Sequence, residues 1–126
     1  MEASEKLVVF CCENSAYKAA EAVEDVSLFA QIEIVRLPCS GKIEIGLVLK
    51  CFENDHPGVL ILACPIDNCK YLKGNLRARK RVEMIKQALR NAGYEENLVR
   101  MDFLSSVDMH KFVKIAQEQL GMKNEE

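Results

Sequence analysis

The chain has 126 residues, 49% of them hydrophobic and 29% charged, enough for one core that needs no disulfide staples and buries roughly two-thirds of the surface exposed by the unfolded chain. A formal net charge of −2 argues against a nucleic-acid partner, which calls for a basic excess, and no apolar run approaches the ~20 residues of a membrane span. Six cysteines follow a polar, acidic start, Met1 to Lys6, that is unlike a signal peptide; this predicts a reducing, cytoplasmic compartment, where repeated cysteines serve metal binding or redox chemistry more often than disulfides.

Leu7-Val8-Val9-Phe10, running into Cys11-Cys12, has the β-branched and aromatic content of a first strand over about 7–12. Ser15 or Asn14 can cap the next element. Ala16, Ala19, Ala20, Val23 and Val26 recur at three- and four-residue steps and predict a helix over about 15–25 with a small buried face. Ile32-Glu33-Ile34-Val35-Arg36-Leu37 reads as a second strand, ended by Pro38 and delivering Cys39-Ser40-Gly41. Ile43, Leu47, Val48, Cys51 and Phe52 mark one face of a helix over about 43–53. The turn-rich Asn54-Asp55-His56-Pro57-Gly58 then leads into the most apolar run, Gly58-Val59-Leu60-Ile61-Leu62-Ala63. That run reads as a buried central strand spilling into Cys64-Pro65-Ile66-Asp67-Asn68-Cys69. Ala78, Val82, Ile85, Leu89 and Ala92 give a long helix over about 74–92, stopped by Gly93. Leu98 to Leu104 is a fourth strand. Ser105 with Asp108 resembles a capping box opening a last helix, whose apolar face is Met109, Phe112, Val113, Ala116 and Leu120. Gly121 ends it, and 121–126 reads as a tail.

Strand and helix alternate four times with no linker and no internal repeat. This predicts a single α/β domain over 1–126, with its core in about 7–120: an open parallel four-stranded sheet in the order 2-1-3-4, with helices on both faces in a flavodoxin- or Rossmann-like three-layer arrangement. In such a sheet, residues just past the carboxyl ends of the strands share one edge, where ligands bind near the topological switch point. The first three strands each lead into cysteine. Cys11 or Cys12, Cys39, Cys64 and Cys69 are therefore expected to meet, and four thiolates in one place suit an iron–sulfur cluster or tetrahedral zinc. Cys64 and Cys69 form a C-x4-C pair, a spacing such sites use.

Cysteine is also a common core residue, and Cys51, placed between Val48 and Phe52 at helical spacing, is expected to pack there. Adjacent residues of a strand point to opposite sides, so of Cys11 and Cys12 one packs and the other is a ligand. His56 and His110 are expected to be solvated. Arg77-Ala78-Arg79-Lys80-Arg81, with Lys70 and Lys73 before it, places cations where the helix dipole favours acids. Solvation of a helix face, closeness to a thiolate cluster, or docking to an acidic partner surface would each account for it.

Cys39-Ser40-Gly41, Gly58-Val59-Leu60 before Cys64, and Cys69-Lys70-Tyr71-Leu72-Lys73-Gly74-Asn75 together resemble the delta-subunit family of methyl-viologen-reducing hydrogenase, over about Val9 to Ser106. The resemblance implies a non-catalytic iron–sulfur subunit. It would carry single electrons through a cysteine-ligated [2Fe–2S] cluster between a hydrogenase or other donor module and heterodisulfide reductase. Cys39, Cys64 and Cys69 match the family's motif directly. Where the family carries two cysteines three apart near the N-terminus, Cys12 takes the first place and Ser15 the second, so the resemblance implies Cys12, in preference to Cys11, as the fourth ligand. Lys70 stands where the family has histidine, which suggests a branch serving a different donor.

Two other readings compete. Cys11-Cys12-Glu13-Asn14-Ser15-Ala16-Tyr17-Lys18, directly after a strand and opening a helix, resembles the anion loop of low-molecular-weight phosphatases and arsenate reductases, with Cys11 as nucleophile. Tyr17, however, stands where that loop ends in arginine, so the main contact to an oxyanion is missing. The other reading is an interaction module whose cysteines bind structural zinc or are merely buried.

Overall fold

The computed structural model describes residues 6–13, 15–38, 43–54, 56–63 and 74–121. Four strands, β1 (Leu7–Cys12), β2 (Ile32–Leu37), β3 (Val59–Ala63) and β4 (Val99–Phe103), form one sheet in the order β2-β1-β3-β4, and every pairing is parallel. This is the topology that the strand–helix alternation implies. Every residue of β1 and β3 is buried, because both are inner strands covered on two faces, and such strands read as unbroken apolar runs.

The pleat divides the core in two. Leu7, Val9, Cys11, Leu60 and Leu62 face one layer, made by helix α1 (Ala16–Glu21), the short helix α2 (Val26–Phe29) and helix α5 (Met109–Leu120). Val8, Phe10, Val59 and Ile61 face the other, made by α3 (Ile45–Glu53) and α4 (Gly74–Asn91). Burying a large aliphatic or aromatic side chain contributes about 1.5–3 kcal/mol, so these two clusters carry most of the favourable term in folding.

Several helical details differ from the sequence-based expectations. The first helix stops at Glu21, and Asp25 caps a second one by accepting a hydrogen bond from the Leu28 backbone N–H at 3.0 Å. Leu28 rather than Val26 then enters the core, leaving Val26 83% exposed. Leu47 and Ala92 are exposed as well, and Cys51 is half-buried at the rim of its cluster, its thiol donating to the Leu47 carbonyl oxygen at 3.5 Å. Asp108, not Ser105, occupies the N-cap of α5; its carboxylate reaches back to accept from the Ser105 N–H at 2.8 Å, which holds its pKa below the usual value. The buried face of α5 is Phe112, Ile115, Ala116 and Gln119. Gln119 is drawn inward because its Nε2 donates to the carbonyl oxygens of Asn97 at 2.9 Å and Leu98 at 3.2 Å, tying the end of α5 to the start of β4.

Gly93 ends α4 at φ +89°, where a side chain would be strained. Gly58 is required for a different reason. A Cβ there would stand 3.0 Å from the Leu98 carbonyl oxygen and 3.3 Å from Leu7 Cδ1, at the point where β3 starts between its neighbours. Gly58→Ala is therefore expected to destabilise the fold by about 1–3 kcal/mol, read as a lower denaturation midpoint with an unchanged slope.

Candidate metal centre

The carboxyl ends of the strands are nearly flush. Cys12, the last residue of β1, lies opposite Leu37, the last residue of β2, and Cys11 lies opposite Leu62, one short of the end of β3. Ala63 in turn lies opposite Phe103, the last residue of β4. The Glu13 N–H continues the ladder to the Leu37 carbonyl oxygen at 2.7 Å, and the Leu104 N–H donates to the Ala63 carbonyl oxygen at 2.8 Å. Cys39 follows Leu37 by two positions and Cys64 follows Ala63 by one. Cys39, Cys64 and Cys69 themselves, with Lys70 and Lys73, lie outside the described residues. Among the described residues no three His, Cys, Asp or Glu side chains come together as a metal site.

The two adjacent cysteines differ in surroundings. Cys11 is fully buried in the cluster with Val9, Leu62, Ala16 and Phe112. Burial, then the neighbouring Cys12, pushes its thiol up to about 12, so it is a neutral core side chain at physiological pH. A nucleophilic cysteine needs the opposite, an exposed thiol with a lowered pKa, and the anion-loop chemistry has no working nucleophile in Cys11. Cys12, on the pleat of Val8 and Phe10, is buried to 2% exposure at the very edge of the sheet. The pleat thus turns Cys11 toward the layer of α1 and α5 and Cys12 to the opposite side, at the carboxyl end of the strand.

Beyond Cys12 the chain turns sharply, with the Ser15 N–H donating to the Cys12 carbonyl oxygen at 3.3 Å. Ser15 stands at the N-cap of α1 but makes no capping bond. It is only 5% exposed, and its Oγ has no hydrogen-bond partner among the described residues. An unsatisfied buried hydroxyl costs about 1–3 kcal/mol, so an orphan of this kind three residues from a buried edge cysteine suits a group that is itself an acceptor. The donor chemistry fits a thiolate-held cluster on both counts. Local pattern reads Ser15 as a possible cap, and the resemblance places it where the family has a second cysteine; the buried, unbonded hydroxyl itself left no trace in the sequence.

Sequence reasoning missed Arg36. The guanidinium lies 5.0 Å from the centre of the Tyr17 ring and its Nε is 3.7 Å from Glu13 Oε1, so β2 clamps both sides of the turn after Cys12. The signal was the outward position of Arg36 on a strand with Glu33 exposed. His56 was expected to be solvated; instead it is half-buried, its Nδ1 2.9 Å from the Lys6 carbonyl oxygen. His110 is exposed as expected. In the cationic run, Arg77, Arg79 and Lys80 are exposed, whereas Arg81 Nη1 donates to the Ile43 carbonyl oxygen at 2.9 Å.

In metal-free protein, Ser15→Ala removes an uncompensated hydroxyl and forfeits no cap bond. It is expected to stabilise by about 1 kcal/mol, where an ordinary N-cap serine loses about as much. A denaturation midpoint at or below that of the unsubstituted protein would show that the hydroxyl is satisfied.

Comparison with known proteins bears on this edge. The family described as methyl-viologen-reducing hydrogenase, delta subunit, matches residues 7–122. The chain is 33% identical over 114 residues to the F420-non-reducing hydrogenase vhu iron-sulfur subunit of Methanocaldococcus jannaschii, covering 89% of this chain and 85% of that one. It is 28% identical to the F420-non-reducing hydrogenase iron-sulfur subunit of Archaeoglobus profundus, covering 89% and 83%. It is also 25% identical over 114 residues to one subunit of the ferredoxin/F420H2-dependent CoB-CoM heterodisulfide reductase of Methanosarcina acetivorans, where the match takes up 89% of this chain but 14% of that larger protein. Among the described residues no helix is long and apolar enough to cross a membrane. With the whole sheet and all five helices inside the matched span, the chain belongs to the methyl-viologen-reducing hydrogenase delta subunit family.

Proposed function

We propose that the chain is a non-catalytic electron-transfer subunit, working in the cytoplasm, that holds a [2Fe–2S] cluster through Cys12, Cys39, Cys64 and Cys69 and carries single electrons between a hydrogenase or other donor module and heterodisulfide reductase. The observation that carries the reading is the flush edge: a buried Cys12 ends the switch-point strand, and the two neighbouring strands lead within one or two residues into Cys64 and Cys39. The relatives named as iron-sulfur subunits support a cluster in general. The heterodisulfide reductase proteins that contain a matching segment support the partner.

A [2Fe–2S] centre supplies one-electron chemistry. The chain's own residues do the rest. Cys12 contributes a thiolate from a strand that packing fixes on both faces. Ser15 has a free hydroxyl proton to donate toward a sulfur, and the Arg36 guanidinium adds positive charge beside the turn. Hydrogen bonds and cations near the sulfurs favour the reduced form and raise the potential. Cys11 contributes packing and no ligand.

Anaerobically purified protein is expected to contain about two irons and two sulfides per chain, the content of a [2Fe–2S] centre, and to give a reduced-cluster paramagnetic signal with dithionite. Stoichiometric zinc, or protein that takes up no metal after reconstitution with iron and sulfide, would overturn the reading. Cys12→Ser should lose most of the iron. Cys11→Ser should keep it while destabilising the fold by about 1–3 kcal/mol, because it places a hydroxyl among Val9, Leu62 and Phe112. In cluster-loaded protein Ser15→Ala should lower the midpoint potential, the reverse of its benefit to the metal-free fold.

A further inference from the structure

The chain is acidic overall, with a net charge of −2, yet it places four cations within the five residues Arg77, Ala78, Arg79, Lys80 and Arg81. These fall in the early turns of α4, where the helix has no acidic residue in its first turn. Cations there oppose the helix dipole, so the stability of α4 does not account for them. Ala78, Val82, Ile85 and Leu89 are the buried face of α4, and 3.6-residue periodicity then places Arg77, Lys80, Met84 and Gln87 on one outward stripe. Arg77, Lys80 and Met84 are exposed. Met84 is 59% exposed, a long apolar side chain standing in water beside the cations.

The structure divides the cationic run by task. Arg81 spends its guanidinium on the Ile43 carbonyl oxygen at 2.9 Å and so anchors α4 to the segment before α3. Arg77 and Lys80 make no ion pair or hydrogen bond among the described residues, unlike Arg90 near the far end of the helix, which pairs with Glu96. Because α4 follows β3 in a parallel sheet, its first turns stand at the same edge as Cys12.

We propose that this stripe, Arg77, Lys80 and Met84, is the docking face for an acidic protein surface, the two cations meeting carboxylates and the flexible Met84 filling an apolar socket between them. The proposal rests on the assembly put forward under the proposed function but not on the cluster type. A protein is favoured over a nucleic acid because the chain is acidic overall and the two cations share their stripe with an exposed apolar side chain.

The test uses the full chain, loaded with metal under anaerobic conditions, and the heterodisulfide reductase of the same organism as probe, with affinity measured at about 50 and 300 mM salt. Arg77→Glu with Lys80→Glu is expected to weaken binding about tenfold or more at low salt and to abolish most of the salt dependence, since exposed charges are screened at the higher ionic strength. Met84→Ala should weaken it about fivefold at both salts. Lys18→Glu with Lys114→Glu makes the same change in net charge on the opposite helical layer and should bind like the unsubstituted chain.

A folding defect predicts otherwise for the reversed pair. Two acids early in α4 suit the helix dipole, so the thermal midpoint should equal or exceed that of the unsubstituted protein while binding falls. Reversed-pair protein that binds as tightly as the original overturns the docking face alone. An original chain that does not bind the reductase overturns the assembly reading and the proposal with it. A duplex oligonucleotide bound as tightly as the reductase overturns the commitment to a protein partner.

Discussion

Everything at the functional edge depends on the burial of β1 from both sides. A strand covered on two faces gives its consecutive residues two different apolar environments, and here the last two residues are both cysteine. Cys11 is committed to the layer of α1 and α5, where a charge would be desolvated, and its thiol stays protonated. Cys12 is as buried but sits at the end of the strand, where the chain must turn and the neighbouring strands also stop. The same packing thus sets one cysteine inside the core and the other at the carboxyl edge of the sheet.

Ser15 and Arg36 follow from that constraint. The turn closed by the Ser15 N–H and the Cys12 carbonyl oxygen holds the serine inward, where its hydroxyl loses water and gains no cap bond. A fold stabilised by only about 0.05–0.15 kcal/mol per residue can rarely leave such a group uncompensated, which makes the orphan informative. Arg36 performs the opposite service, staying in solvent while stacking on Tyr17 and approaching Glu13. One residue offers a buried donor proton and the other an exposed positive charge, on either side of the same short turn.

The strands were legible because each leaves a direct trace in sequence: β1 and β3 as unbroken apolar runs, β2 bounded by Pro38, β4 by its β-branched and aromatic residues. The four strand-helix alternations then implied one parallel sheet, with 2-1-3-4 among the few orders that right-handed crossovers allow. Helical details were less legible, for specific reasons. The periodicity that joined Ala16 to Val26 gives no weight to Asp25, whose single hydrogen bond to the Leu28 N–H starts a new helix. The face of α5 was read from apolar residues alone, but Gln119 is buried through bonds to Asn97 and Leu98 that no local pattern announces. Alternation along the strand separated Cys11 from Cys12 without choosing between them, and the family resemblance put Cys12 first. Tertiary packing adds that Cys11 lies in the layer of α1 and α5. His56 likewise gave no sign of its contact with Lys6, fifty positions away in the chain.

The edges of the sheet narrow how the domain can associate. An open parallel sheet leaves two strands with unpaired backbone groups, a standing invitation to add another strand. Here the outer strands carry charge. On β4, Arg100 reaches Asp102 at 3.1 Å and Glu118 at 2.9 Å, and Lys111 lies 3.7 Å from Asp102. On β2, Glu33 and Arg36 are both exposed. Strand addition at either edge would strip water from these groups, so association through the sheet is disfavoured and the helical faces and the carboxyl edge remain. The matching segment takes up 85% of the iron-sulfur subunit of Methanocaldococcus jannaschii yet 14% of the heterodisulfide reductase protein of Methanosarcina acetivorans. A covalent tether supplies effective concentration without any contact, whereas a domain on its own chain must supply affinity from its surface. Side chains on a helix beside the carboxyl edge can do that without disturbing the sheet, because they lie outside the two clusters that hold it together.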